Sequence, residues 1–348
     1  MDKLISPKLF VVLALGFLGL LLAASLSLPH ERYYRFQAHD NVSTRKADWI
    51  YERLNFDETP IDVALIGTSR TAGGLSGPLI QTLYCEATGR EIHVANLAIP
   101  VTGRNMHYVV AKEAARKKAP ALTVVELNDV ETRRPHPAFV VLADASDILR
   151  APLLLNTNYF SDIIRLPGRQ ATLFIETLFG KPAVRAEFDP QDYAGANLDL
   201  TEVVISIDGQ IKSRHVIHGR DKMNALQDIR MSKIARTFFL PKPLQFLEYR
   251  LSRLYLQRIQ SEAAKIGGIT EFAYIPAYGE PIVPDVLQKE LSVDTIAFDL
   301  GGAITDDPSK WLDATHLNAD GAVETSQAFA ERLASAHPYL GEASADCQ

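Results

Sequence analysis

Three residues in this chain have the types and spacing to do nucleophilic chemistry together. Ser69 follows Val63-Ala64-Leu65-Ile66-Gly67-Thr68, a short apolar run that breaks at glycine and turns polar. That punctuation predicts a buried strand that hands a serine to the start of a helix. Unpaired N–H groups at such a helix start can stabilise an oxyanion or a phosphate. Alone, Ser69 reads as a helix cap. Far along the chain, Asp313 and His316 stand three residues apart, in Trp311-Leu312-Asp313-Ala314-Thr315-His316-Leu317-Asn318-Ala319-Asp320-Gly321-Ala322. On one turn the carboxylate can hold one ring nitrogen and leave the other facing a hydroxyl. A serine, an aspartate and a histidine in that order make a workable triad, whose product with an ester would be an acyl-serine.

The elements that must position these residues alternate. A strand over Val63–Ile66 leads to a helix over Gly77–Thr88, with Gly89 placed for a C-cap. A strand over Ile92–Ala98 and a helix over Arg104–Ala119 follow, then a third buried strand over Leu122–Leu127. After a long break the pattern resumes with a helix over Leu244–Ile266, strands over Glu271–Ile275 and Thr295–Phe298, and a last helix over Ala322–Leu333. The periodicity therefore predicts an α/β fold, a three-layer doubly wound sheet of five parallel strands with right-handed crossovers. In that topology the ends of the first and last strands share one edge, which is where ligands bind. The break, about residues 133–242, is too long and too apolar for a plain loop and reads as a mixed α/β insertion or lid. It contains a predicted hairpin, Val203–Ile207 to Ile211–His215, turned at Asp208-Gly209.

Gly67-Thr68-Ser69 resembles the GDS block of the SGNH/GDSL hydrolase superfamily, and Asp313 with His316 resembles its DxxH block. The Leu-Asn and Gly-Ala that follow are similar to the membrane-anchored branch, which includes alginate O-acetylation proteins and the teichoic acid D-alanylation protein. The resemblance covers about residues 61–130 and 270–335, with the insertion outside it. It implies an SGNH hydrolase-like, flavodoxin-like sheet and the catalytic residues Ser69, Asp313 and His316. For the oxyanion it implies a glycine from the second block, where Asn96-Leu97 opens the matching segment and Gly103 is the nearest glycine. The third block supplies an amide, and Asn128 lies there, with Glu126 in place of the block's glycine. Asn128 reads equally as a strand-end turn residue.

Leu9 to Leu28 is a nearly continuous apolar run of the length needed to cross a bilayer. It is expected to be an uncleaved signal anchor, with a cytoplasmic tip and the rest of the chain outside, in the periplasm of an inner-membrane protein. Residues 29–60 are expected to be a linker whose tyrosines sit at the membrane interface, with the globular part beginning near Ile61. A net charge of −6 with dispersed Lys and Arg leaves no basic footprint for nucleic acid. Cys85 and Cys347 are expected to be free, the second in a frayed tail over residues 336–348. His215 and His218 do not have the placement of metal ligands, and neither a metal nor a cofactor is expected. Arg133-Arg134 reads as a solvated surface pair, and Arg70, beside the serine, is ambiguous in the same way. Anchor and resemblance together imply an extracytoplasmic esterase or O-acyltransferase acting on acyl, above all acetyl, esters of a cell-surface glycopolymer, with a membrane-bound acyl-donor protein as a further partner. A lipase or esterase of small or lipid esters and a non-catalytic polymer-binding subunit of an export complex are the alternatives.

Overall fold

The structure, a computed structural model, describes residues 6–37, 46–127, 129, 131, 133–153, 156–180, 199–205, 210–234, 240–280, 282–301 and 307–347. It opens with α1 (Pro7–Leu26), whose first turn is capped by the Ser6 hydroxyl and begins at proline. Over Lys8–Leu26 the mean hydropathy is 2.7, and this is the one helix among the described residues long and apolar enough to cross a membrane.

The next two helices correct the expected linker. Tyr33 and Phe36 of α2 (Tyr33–Phe36) and Trp49, Ile50 and Leu54 of α3 (Ala47–Asn55) are buried in the same core as the sheet. Tyr33 therefore faces protein, donating to Glu52 at 2.6 Å, rather than a membrane interface. The core begins well before Ile61 because the aromatic residues of this stretch have a partner surface that local periodicity cannot reveal.

The sheet follows. β1 (Val63–Ile66) leads through α4 (Ser69–Gly74) and α5 (Gly77–Thr88) to the short β2 (Arg90–Glu91) and to β3 (Val94–Asn96). Then come α6 (Arg104–Lys117) and β4 (Leu122–Leu127). Within the break lie α7 (Phe139–Leu142), α8 (Ala145–Leu149), α9 (Tyr159–Phe179), the hairpin β5 (Val203–Ile205) and β6 (Ile211–Ser213), and α10 (Arg220–Ile234). The expected Asp208-Gly209 turn lies outside the described residues. The chain closes with α11 (Phe246–Lys265), β7 (Ile269–Tyr274), α12 (Asp285–Leu291), β8 (Phe298–Asp299), α13 (Ala319–Ala336) and β9 (Glu342–Ala343).

The main sheet has five strands in the order β3-β1-β4-β7-β8, all parallel. β1, β3 and β4 are buried on both faces, and the alternation of the strands sorts side chains into two cores. Val63 and Leu65 of β1 face one cluster with Leu122 and Val124 of β4, while Ala64 and Ile66 face the other with Val125 and Leu127. Helices α5 and α13 cover the first face, and α6 and α11 cover the second. This is an α/β, three-layer doubly wound architecture. The strand order reverses direction between β1 and β4, so the carboxyl edge there is the crevice in which such sheets bind ligands.

The C-terminal tail also departs from expectation. β9 pairs antiparallel with β2, Arg90 opposite Ala343 and Glu91 opposite Glu342. That pairing lays Ala345–Cys347 against α5, and Cys85 and Cys347 form a disulfide with their Cα atoms 5.0 Å apart. The cysteines are therefore bonded, because a two-residue strand too short to register as a pattern fixes the tail.

Candidate active site

β1 ends at Ile66, and the chain turns over Gly67 into α4, with Thr68 as N-cap accepting from the Arg70 N–H at 3.2 Å. A side chain at Gly67 is excluded, since a Cβ there would lie 2.0 Å from Thr71 Oγ1 and 2.5 Å from Glu126 Oε2. That crowding has a purpose. The Glu126 carboxylate, buried on β4, accepts from the Thr68 N–H at 2.7 Å and the Thr71 N–H at 3.2 Å. It also accepts from the hydroxyls of Thr68 at 2.9 Å and Thr71 at 2.5 Å. One acid thus satisfies orphan amides of the helix start, where a negative charge also meets the helix dipole favourably. Ser69 is held between these two threonines.

The partner loop precedes α13. Trp311 and Leu317 pair as an antiparallel bridge, and the Leu312 N–H donates to the His316 carbonyl at 2.9 Å, so residues 311–317 close on themselves. Asp313 Oδ1 accepts from the N–H groups of Thr315 at 2.7 Å and His316 at 2.9 Å. The structure brings the three predicted residues into one hydrogen-bonded line. Ser69 Oγ lies 2.8 Å from His316 Nε2, and His316 Nδ1 lies 2.9 Å from Asp313 Oδ2. Burial would raise the Asp313 carboxyl. The His316 hydrogen bond and charge and the backbone N–H groups outweigh it and hold the acid down to about 2. An ionised Asp313 fixes the Nδ1–H tautomer and leaves Nε2 able to take a proton from Ser69.

Asn318 ends this loop and caps α13, accepting from the Gly321 N–H at 2.9 Å while its amide donates to the Val216 carbonyl at 2.8 Å. Asn96 has a parallel role. The Asn96 amide donates to the carbonyls of Thr71 and Leu75, each at 2.8 Å, and so fastens the end of α4. Gly103 is the N-cap of α6 at φ 151°, packed so closely on His136 that a Cβ would lie 2.5 Å from its backbone nitrogen. Asn128 lies outside the described residues.

A cavity of about 470 Å³ opens on Ser69. One wall carries Asp313 and Thr315, another Val101 and Thr102, and the third is the α10 face with Leu226, Ile229, Arg230 and Lys233. Val101 sits at φ 77°, a conformation a β-branched residue adopts only under constraint from its surroundings. The insertion therefore forms a wall of the cavity. It also braces the loops, since Arg214, at the end of the hairpin, donates to the Leu317 carbonyl at 2.7 Å and the Gly73 carbonyl at 3.2 Å. His218 Nε2 meets the Leu312 carbonyl at 3.1 Å, and His215 Nε2 meets Glu202 at 2.5 Å.

Of the arginines left ambiguous or read as solvated, Arg70 and Arg133 face buried carboxylates, while Arg134 is exposed. Arg70 is buried against Asp129 at 2.5 Å, and Arg230 of α10 pairs with the other Asp129 oxygen and with Glu280 at 3.1 Å. Burial would raise Asp129, but the two guanidinium groups hold it below the usual carboxylate range. Arg133 Nε faces the buried Glu248 at 3.4 Å and is not a solvated cation.

Sequence reasoning noted Glu126 and Arg70 without their roles, and missed Arg214 and the Arg70–Asp129–Arg230 network. Of these only Glu126 carried a local signal, as a charged residue inside the apolar run Leu122–Leu127. No protein-family model, curated protein or solved structure matches the chain.

Proposed function

We propose that this chain is a membrane-anchored serine esterase or O-acyltransferase of the SGNH hydrolase type, acting outside the cytoplasm on acetyl or related acyl esters of a cell-surface glycopolymer. The observation that carries the reading is the line from Ser69 Oγ through His316 to Asp313, at 2.8 and 2.9 Å, opening on a cavity. His316 Nε2 takes the Ser69 proton as Oγ attacks the ester carbonyl. The tetrahedral oxyanion is held by the Ser69 N–H at the start of α4, with Gly103 and Asn128 as the further donors the resemblance implies. Collapse expels the alcohol, which recovers its proton from His316, and leaves acyl-Ser69. Water attacking the acyl-enzyme completes hydrolysis, and a sugar hydroxyl completes transfer. The extracytoplasmic address is supported by α1 and by the Cys85–Cys347 disulfide, a bond that persists in oxidising compartments.

The test is to treat the full-length chain in detergent with a fluorophosphonate and map the adduct by mass spectrometry. Ser69 should be the modified residue, with labelling abolished in Ser69→Ala and strongly slowed in His316→Ala. A folded wild-type protein that remains unlabelled at Ser69 would overturn the reading.

A further inference from the structure

A second cavity, of about 400 Å³, lies between α2 and α9, away from Ser69. Its lining includes Arg35, Gln37, Arg169, Thr172 and Glu176. Arg169 donates to the Ala143 carbonyl at 2.6 Å through Nη2, but its Nε and Nη1 are buried and meet no acceptor among the described residues. Gln37 Nε2 is likewise buried without one among the described residues. Arg35 is paired with Asp144 at 2.8 Å, and that carboxylate is shared with Arg32 at 3.4 Å and Lys112 at 3.2 Å. No carboxylate among the described residues pairs with Arg169. Every orphan atom here is a donor, and buried donors without partners are costly. Burial and the neighbouring Arg35 push the Arg169 guanidinium down to about 9, the direction a bound anion would reverse.

The position of the cavity narrows the class of anion. α1 ends at Leu26 and packs on α9, and the Glu31 N–H donates to Thr177 Oγ1 at 2.9 Å, so α9 lies where the apolar run leaves any bilayer it crosses. On the side of α9 turned away from these lining residues runs an uncovered apolar stripe. Phe160, Ile164, Ile175 and Leu178 are 70%, 79%, 55% and 57% exposed. At about 100° per residue they fall within roughly 60° of one another on the helix. A pocket of unmet donors beside the point where the apolar run leaves a bilayer is complementary to the anionic head of a lipid. Glu176 on the lining disfavours a second negative charge, so a phosphodiester suits the pocket better than free phosphate.

We infer that this cavity binds the headgroup phosphate of a membrane phospholipid, held by Arg169, Gln37 and Arg35. The site is independent of any reaction at Ser69.

The experiment uses the full-length chain, stripped of lipid in a non-ionic detergent and titrated calorimetrically with dihexanoylphosphatidylglycerol below its micellar concentration. The wild type should bind saturably, and Arg169→Gln should bind at least about tenfold more weakly, as expected for a lost charge-assisted hydrogen bond. Inorganic phosphate at the same concentrations should not displace the lipid. Without lipid, Arg169→Gln should melt at or above the wild-type temperature, because it removes a buried cation with unmet donors. A wild type that does not bind, a variant that binds equally well, displacement by inorganic phosphate, or a lipid-free variant that melts lower would each overturn the proposal.

Discussion

Glu126 offers the sharpest test of how the Ser69 turn is held. Its carboxylate accepts from two backbone N–H groups, of Thr68 and Thr71, and from both threonine hydroxyls. Glu126→Gln keeps one oxygen for the amides but removes the charge, and sets its NH₂ against a hydroxyl that had been donating. Hydrogen bonds to charged groups contribute about 1.5–3 kcal/mol and neutral ones about 0.5–1.5. A loss of roughly 1 kcal/mol per backbone bond, with some further loss at the hydroxyls, gives about 2–4 kcal/mol. Glu126→Ala and Glu126→Gly leave the same amides buried without an acceptor, at about 1–3 kcal/mol each, and should cost about 3–6 kcal/mol with the hydroxyls included. Glu126→Gly is the informative variant, because it places here the glycine found in the block that this strand end resembles. Denaturant titration followed by tryptophan fluorescence reads the stability, and the rate of fluorophosphonate labelling reads the placement of Ser69. Labelling should fall on the order of 100-fold in the alanine variant, the scale of a 1 Å misplacement. A Glu126→Gln protein within about 0.5 kcal/mol of wild type that labels at the wild-type rate would refute the argument, since so small a change is ordinary for surface sites.

Three further outcomes follow from the same geometry. Ser69→Ala and His316→Ala should each abolish turnover of an activated acetyl ester to the same floor, and the double variant should be no worse, because residues acting as a unit are not additive; multiplicative losses would refute this. Lys46 is buried, donates to the Asn96 carbonyl at 2.6 Å, and is pushed by burial down to about 7, Asp199 opposing only in part. The unfolded chain keeps that proton up to about 10.4, so folding gains stability as pH rises from 7, at about 1.36 kcal/mol per unit. Relative to Lys46→Met, the wild type should therefore gain about 3 kcal/mol between pH 7 and 9.5 in denaturant titrations, and a pH-independent difference would show that the lysine stays charged. Replacing both Cys85 and Cys347 by alanine should cost about 3–5 kcal/mol, given a sequence separation of 262; an unchanged denaturation midpoint would mean that the β2–β9 pairing holds the tail unaided.

The sheet was legible because its central strands β1 and β4 are short, largely apolar runs buried on both faces, with helical periodicity between the runs. The limits of β4 match the predicted Leu122–Leu127 span, and α6 and α13 begin within three residues of their predicted starts. Ser69, Asp313 and His316 could be paired because a doubly wound topology carries the end of β1 and the loop before α13 to one edge. What stayed hidden depends on contacts between distant segments. Arg214 gives no local sign that it will reach Gly73 and Leu317 together, since neither carbonyl is distinguishable from any other in the sequence. Trp49 and Ile50 look like part of a charged linker until the α2–α3 segment meets the core built around α6 and α11.

The insertion shows why this boundary matters for mechanism. An insertion outside the recurring α/β pattern is readily read as a lid, expendable for chemistry and concerned only with substrate choice. Here one part of it, α10, lines the cavity with Leu226, Ile229 and Lys233. Another part, residues 214–218, is bonded to the carbonyls of Leu312 and Leu317 on both sides of His316, and supplies the Val216 carbonyl that Asn318 holds. Changes on the cavity face of α10 should then act on substrate preference, whereas truncating Arg214 should let the His316 loop move and slow every substrate alike. The two effects separate because the α10 face touches the cavity, whereas the Arg214 guanidinium ties together the backbone after the base, the end of α4 and the hairpin.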